Sequence, residues 1–241
     1  MSHIHLPDGV LPVWLWGSGY VVAILVGMVL LRLVKKEDLA RRLPLLGMMS
    51  AAMVLGAAIE IVPIAYHVNL TVLSGILLGP SLIFLATFVV NVILALFGHG
   101  GITVIGLNTL ILSIEGILGY LLFRLLWKVL RRLTPVIFLA TFLSLLVSTL
   151  SMIGVVSLGT SHYDELMHGG GKGIFEFHFS KDQEEPPGGV TESSVNLKRF
   201  IAIILPLGFI GWILEGIITT LVGRYIFKLR LDLLRLESEP S

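Results

Sequence analysis

Apolar residues run almost unbroken over 11–34, 43–66, 103–126, 134–159 and 200–226, with polar breaks between them. About 20 apolar residues in a helix rising ~1.5 Å each are enough to cross the ~30 Å hydrocarbon layer. Each of these five stretches therefore predicts one transmembrane helix. A sixth stretch, 68–98, is apolar but carries Gly79-Pro80 near its middle. Proline removes a helix hydrogen bond and clashes with the preceding turn, so a break is predicted there. Two legs of about 15 residues would rise ~22 Å each, short of a full crossing. They predict two short helices or a re-entrant hairpin, and irregular backbone at that depth has to be covered by protein. The segment 160–198 differs in kind: Gly169-Gly170-Gly171, Pro186-Pro187 and Gly188-Gly189 punctuate a polar stretch that argues against a packed core. The pattern predicts an all-α integral membrane protein, a bundle of about seven transmembrane segments with two of them short or re-entrant. It forms a single transmembrane domain over 1–241 with one polar extracytoplasmic loop at about 160–198.

Composition agrees. The chain is 55% hydrophobic and 14% charged, with a mean hydropathy of +0.93. A soluble domain has roughly 45–50% apolar and about 25% charged residues. Cysteine is absent, which excludes disulfides and thiolate zinc sites; any metal site has to be built from N and O ligands. The net charge of +1 points to no nucleic-acid partner. The placement of the charges is more informative than their sum. Arg32, Lys35, Lys36, Arg41 and Arg42 follow the first span; Arg124, Lys128, Arg131 and Arg132 lie at the end of the stretch 103–126 and after it; Arg224, Lys228, Arg230 and Arg235 lie toward the end of the sequence. Basic residues favour the cytoplasmic side. With all three clusters inside, the N-terminus, His67 and the loop 160–198 lie outside, and 68–98 crosses an even number of times. His3, His5, Asp8, His67 and His99 then share the outer face.

The chain opens MSHIHLPDGV, with none of the basic residues that begin a secretory signal. An N-terminal amine close to a histidine is a strong chelator. The amine, a deprotonated backbone amide and the imidazole Nδ1 lie in one plane, which suits Ni(II) and Cu(II), with low-spin Co(II) a third candidate. If Met1 is removed, Ser2-His3 supplies three donors and leaves one corner vacant; if Met1 stays, Met1-Ser2-His3 fills all four. The competing account makes His3 and His5 a solvated tail or an expression-derived scar.

Four stretches carry a family resemblance. HLPDGVLP resembles the N-terminal signature His-Ile-Pro-Asp-Gly of the cobalt/nickel substrate-binding (M) subunits of energy-coupling factor transporters, the CbiM/NikM family. YHVNLTVLSGILLGP is similar to the family's Ser-His-Pro-Thr-Gly…Leu-Phe-Gly-Pro stretch, with His67 at the same distance from Gly79-Pro80. GHGGITVIGLNTL looks like Ala-His-Gly-Gly-Leu-Thr-Thr-Leu-Gly-Ala-Asn-Thr, and LEGIITTLV resembles the family's late Glu-Gly segment. The resemblance implies a non-catalytic subunit in the cytoplasmic (inner) membrane of a prokaryote, capturing Co²⁺ or Ni²⁺ outside for uptake, in a context of cobalamin biosynthesis. It implies partners besides membrane lipid: a scaffold transmembrane T subunit, ATPase A subunits that hydrolyse ATP, and a small accessory membrane subunit. It also implies ligands: the first residue's amine, the second-position His and the His after the second long span. Aligned through Asp8-Gly9, the second-position His falls on His5, preceded by Ile4 and three more residues, so the chain departs from the pattern there. Ser2-His3 offers the same chelate two residues earlier, and His67 carries over cleanly. The expected metal donors are thus Ser2, His3, His5 and His67.

Around them, His99 in Gly98-His99-Gly100-Gly101 is read as orienting a ligand, or as a hydrogen-bonded turn histidine. Asn108 offers a supporting amide or an interhelical hydrogen bond. Asp8 caps a turn or accepts a hydrogen bond from a metal-bound imidazole. Glu60 and Glu215 fall within apolar spans, where ionisable residues face the bundle interior, as structure or as a release pathway. His162, His168 and His178 sit in the polar loop, where a solvated segment needs no metal role. Gly19, Ala23 and Gly27 form a small-residue face for helix contact, within the chain or with the scaffold subunit. Rival classes find less support. His-Glu-x-x-His and Walker motifs are absent, and VLSG has Val72 where a serine intramembrane protease would have glycine. A stand-alone secondary transporter or channel would often show inverted repeats, and none is evident.

Overall fold

The computed structural model describes residues 11–34, 36–58, 60–61, 66–98, 100–160 and 197–229. They form seven helices, α1 (Val13–Arg32), α2 (Lys36–Ala58), α3 (Thr71–Leu78), α4 (Pro80–Leu96), α5 (Ile105–Leu130), α6 (Leu133–Thr160) and α7 (Leu197–Leu229). Between α2 and α3 lie two two-residue strands, β1 (Glu60–Ile61) and β2 (Tyr66–His67), paired antiparallel. Five helices are long and apolar enough to cross a membrane, and Pro80–Leu96 is a shorter apolar helix.

The break at Gly79-Pro80 is present. Gly79 has φ 79°, a conformation other residues rarely adopt, and Pro80 sits at the first position of α4, where its missing N–H is no loss. The two legs are unequal, however: α3 has 8 residues and α4 has 17. The extended stretch around His67 takes the place of the missing turns of α3. Every residue of α3 is buried, so the short leg is sheathed by protein, as irregular backbone at membrane depth requires.

Helix α5 is the centre of the bundle and packs on α1, α3, α4 and α6; α7 packs on α6, and α2 on α4. The contacts fix helix directions. Thr87 bonds Ser113 and Asn91 bonds Thr109, so α4 and α5 run antiparallel. Leu107 fills the space over Gly19 and Phe84 that over Gly27, which sets α1 antiparallel to α4 and parallel to α5. The small-residue face of α1 is therefore used inside the chain. Arg42 near the start of α2 donates to the carbonyl of Leu78 at the end of α3, 3.3 Å away. Phe123 of α5 stacks on Phe227 of α7, and Ile137 of α6 meets Gly223. These registers place the end of α1, the start of α2, the end of α5, the start of α6 and the end of α7 at one end of the bundle. The described members of the basic clusters, among them Arg32, Arg42, Arg124, Arg132, Arg224 and Lys228, gather there, as the charge pattern predicts. The opposite end holds the start of α1, the end of α2 and the start of α5.

Candidate metal centre

At that opposite end α2 stops at Ala58 and the chain continues as extended Glu60-Ile61. The local sequence explains the stop: Ile59, Ile61 and Val62 are β-branched, and Pro63 disfavours helical backbone before it. Glu60 was expected within an apolar span over 43–66. That expectation is corrected: Glu60 lies beyond the helix, in β1, with its backbone paired to His67. His67 is half-buried. The next residue, Val68, runs against Gly56 of α2 so closely that a Cβ at Gly56 would meet its carbonyl oxygen. Only glycine lets the two backbones approach this far.

Asn69 follows, fully inside the bundle. Its backbone N–H donates to both carboxyl oxygens of Glu215 on α7, at 3.0 and 3.1 Å. Its side-chain amide donates to Glu115 on α5. Its carbonyl oxygen accepts the N–H of Thr71, 2.7 Å away, at the first residue of α3. Glu115 and Glu215 have no exposed surface. Ser148 of α6 is also buried, and Thr219 donates to Glu215 at 3.4 Å. Each carboxyl stands about 15 residues, or ~22 Å, above the basic end of its helix. The segment 66–70 thus descends from the rim to mid-bundle depth before α3 begins.

Glu215 faces the bundle interior, as expected for an ionisable residue in an apolar span. Glu115 was missed, although the same rule applies to it within 103–126. Asn69 carries no signal in sequence; its importance arises only where the chain stops being helical. Asn108 is buried in the first turn of α5, beside Leu107. Leu11 is buried with Leu15, Val104, Leu107, Ile111 and Met152, which anchors the entry of the N-terminal segment at the His67 end. Ser2, His3, His5, Asp8, His99 and the loop histidines His162, His168 and His178 lie outside the described residues. Gly98 and Gly100, on either side of His99, have φ 77° and 99°, and Tyr20 of α1 donates its hydroxyl to the carbonyl of Ile102. That turn is thus glycine-dependent and tied to α1. Among the described residues no three His, Asp or Glu side chains gather as a metal set; of the four expected donors His67 is the one that lies among them.

The sequence matches the family described as "Cobalt uptake substrate-specific transmembrane region" over residues 5–233. The chain belongs to this CbiM family. It is 32% identical over 133 residues to the cobalt transport protein CbiM of Clostridioides difficile, a match covering 52% of this chain and 53% of that protein. It is 33% identical over 120 residues to a fused cobalt transport protein CbiMQ of Methanocorpusculum labreanum, covering 47% of this chain and 20% of that one. The chain thus spans about half, or less, of the length of these curated relatives. Two crystal structures share the fold. A truncated transition metal transporter superposes with TM-score 0.71 at 19% identity, covering 94% of this chain and 99% of that one. A transition metal transporter gives 0.69 at 20%, covering 95% and 94%. As a CbiM-family chain with five membrane-length apolar helices, the protein is a multi-pass membrane protein.

Proposed function

We propose that this chain is the substrate-capturing subunit of an energy-coupling factor importer, binding Co²⁺ or Ni²⁺ at the outer face. His67 is a direct ligand, and the N-terminal segment, through Ser2, His3 and His5, supplies the remaining nitrogen donors. The observation that supports this most is the placement of His67. It sits half-buried on a segment descending into the bundle, at the end where Leu11 anchors the N-terminal stretch. Imidazole and amide nitrogens in a plane suit Ni²⁺ or Co²⁺, whereas Zn²⁺ prefers a tetrahedron. The chain holds no Walker motif, so ATP hydrolysis falls to separate ATPase A subunits, coupled through a scaffold T subunit. The match to a fused CbiMQ protein supports association with a further transporter component. The cytoplasmic membrane of a prokaryote is the corresponding location, and 1–241 acts as one domain.

The test is calorimetric titration of Co²⁺ and Ni²⁺ into the purified chain. His67→Ala should weaken binding at least 100-fold, and a non-cleavable N-terminal extension should abolish tight binding if the terminal amine is a donor. Unchanged affinity in His67→Ala removes His67 from the ligand set. Unchanged affinity in the extended chain alone leaves a site of side chains only, His5, His67 and His99.

A further inference from the structure

The irregular segment 66–70 has to satisfy its backbone at a depth where water is scarce. At Asn69 three side chains meet, one each from α7, α5 and the segment itself, and one of them takes the segment's backbone N–H. Glu215 of α7 accepts the Asn69 N–H with both oxygens, Glu115 of α5 accepts the Asn69 side-chain amide, and Asn69 itself accepts the first N–H of α3. Asn69 lies two residues from His67, and Val68 between them is held against Gly56. With β1 on one side and this junction on the other, the backbone of His67 is fixed at both ends.

We infer that Glu115, Asn69 and Glu215 form a buried clamp that sets the position of His67, making the two carboxyl residues positioning residues for metal capture. The inference rests on His67 being a metal ligand. Its physical content is geometric. A planar metal site tolerates little displacement of a donor, and a donor carried on extended backbone is only as well placed as the groups that hold that backbone. A carboxyl is suited to the task because two oxygens grip one N–H. The clamp also joins α5 and α7 to the loop, so a movement of α7 against α5 is transmitted to the ligand two residues away.

The experiment uses the full chain in detergent, with Co²⁺ as the probe. Affinity by calorimetry, the visible absorption spectrum of the Co²⁺-loaded protein and the thermal midpoint without metal are measured together. Glu215→Gln keeps one acceptor oxygen for the Asn69 N–H and should bind within about threefold of the parent, with the same spectrum. Glu215→Leu removes both acceptors and should bind at least tenfold more weakly, with a shifted spectrum. Asn69→Ala should do the same; it decides the matter should the leucine variant fail to fold. A structural role alone would lower the thermal midpoint and leave affinity and spectrum of the folded fraction unchanged in both variants, and that result overturns the clamp. His67→Ala is run in parallel. If it binds normally, the ligand assignment itself is wrong; if it loses binding while Glu215→Leu and Asn69→Ala do not, only the clamp fails.

Discussion

Glycine at position 75 shows how far single residues shape the interior. Its missing side chain lets α3 lie against α5, where a Cβ would collide with the carbonyl of Gly116. The obstacle is backbone, which cannot rotate aside as a side chain would, so even one methyl group forces the helices apart. Gly75→Ala should destabilise the chain by about 1–3 kcal/mol, the range for overpacking a filled core. The measurement is the thermal midpoint in detergent, with Gly154→Ala as the control. Gly154 is exposed and has nothing within 4 Å of a Cβ, so that change should leave the midpoint unaltered or slightly higher. Glu60 makes a different point at this scale. Its place within the apolar run 43–66 suggested a position on a membrane helix, but the helix ends at Ala58 and Glu60 lies in β1, in a sequence whose β-branched residues and Pro63 disfavour helix.

Four of the five long apolar runs match their helices closely, whereas α2 (Lys36–Ala58) is displaced toward the N-terminus of the predicted 43–66. α1, α5, α6 and α7 begin and end within a few residues of the predicted 11–34, 103–126, 134–159 and 200–226. The stretch 68–98 departs because periodicity reports burial and not direction. An apolar residue on an extended segment inside the bundle looks the same as one on a helix. Helix directions nevertheless confirm the charge partition, since the contacts gather Arg42, Arg124, Arg132 and Lys228 at one end. The expected orientation puts that end in the cytoplasm. The chain has no cysteine, so single cysteines at Ser161 and Glu37 can report it. In sealed vesicles an impermeant maleimide should label them from opposite faces; labelling from the same face excludes the topology.

At the scale of the whole molecule, capture of a cation by nitrogen donors couples binding to protons. Imidazole and backbone amide bind metal only after losing a proton, and binding releases it. Co²⁺ affinity should therefore fall as pH is lowered, because protons compete with the metal for the nitrogen donors. Titration calorimetry in buffers of different ionisation enthalpy should also detect proton release. A pH-independent affinity would point to oxygen donors instead. The polar loop should not share in this. Replacing His162, His168 and His178 together by alanine should leave the Co²⁺ dissociation constant unchanged within about twofold. A tenfold loss would assign the loop a metal-gathering role.

Some features follow from local chemistry and are legible in the sequence. Long apolar runs specify membrane helices, because a bilayer leaves backbone groups no other way to be satisfied. Gly79-Pro80 specifies a break, because those residues permit a turn and forbid continuing helix. The four stretches that resemble CbiM-family signatures, His67 among them, point to the candidate site through residue identity alone. Other features exist only once distant segments meet. Asn69 is unremarkable in a line of apolar residues, and Glu115 lies 46 residues beyond it. Glu215 lies 146 residues beyond Asn69. Their pairing reflects a backbone that stops being helical inside the bundle and recruits whichever polar side chains the neighbouring helices bring to that depth. Sequence reports which residues are able to pay for such a segment, and tertiary packing decides which of them do, since hydrogen bonds act over about 3 Å and the chain order carries no such distance.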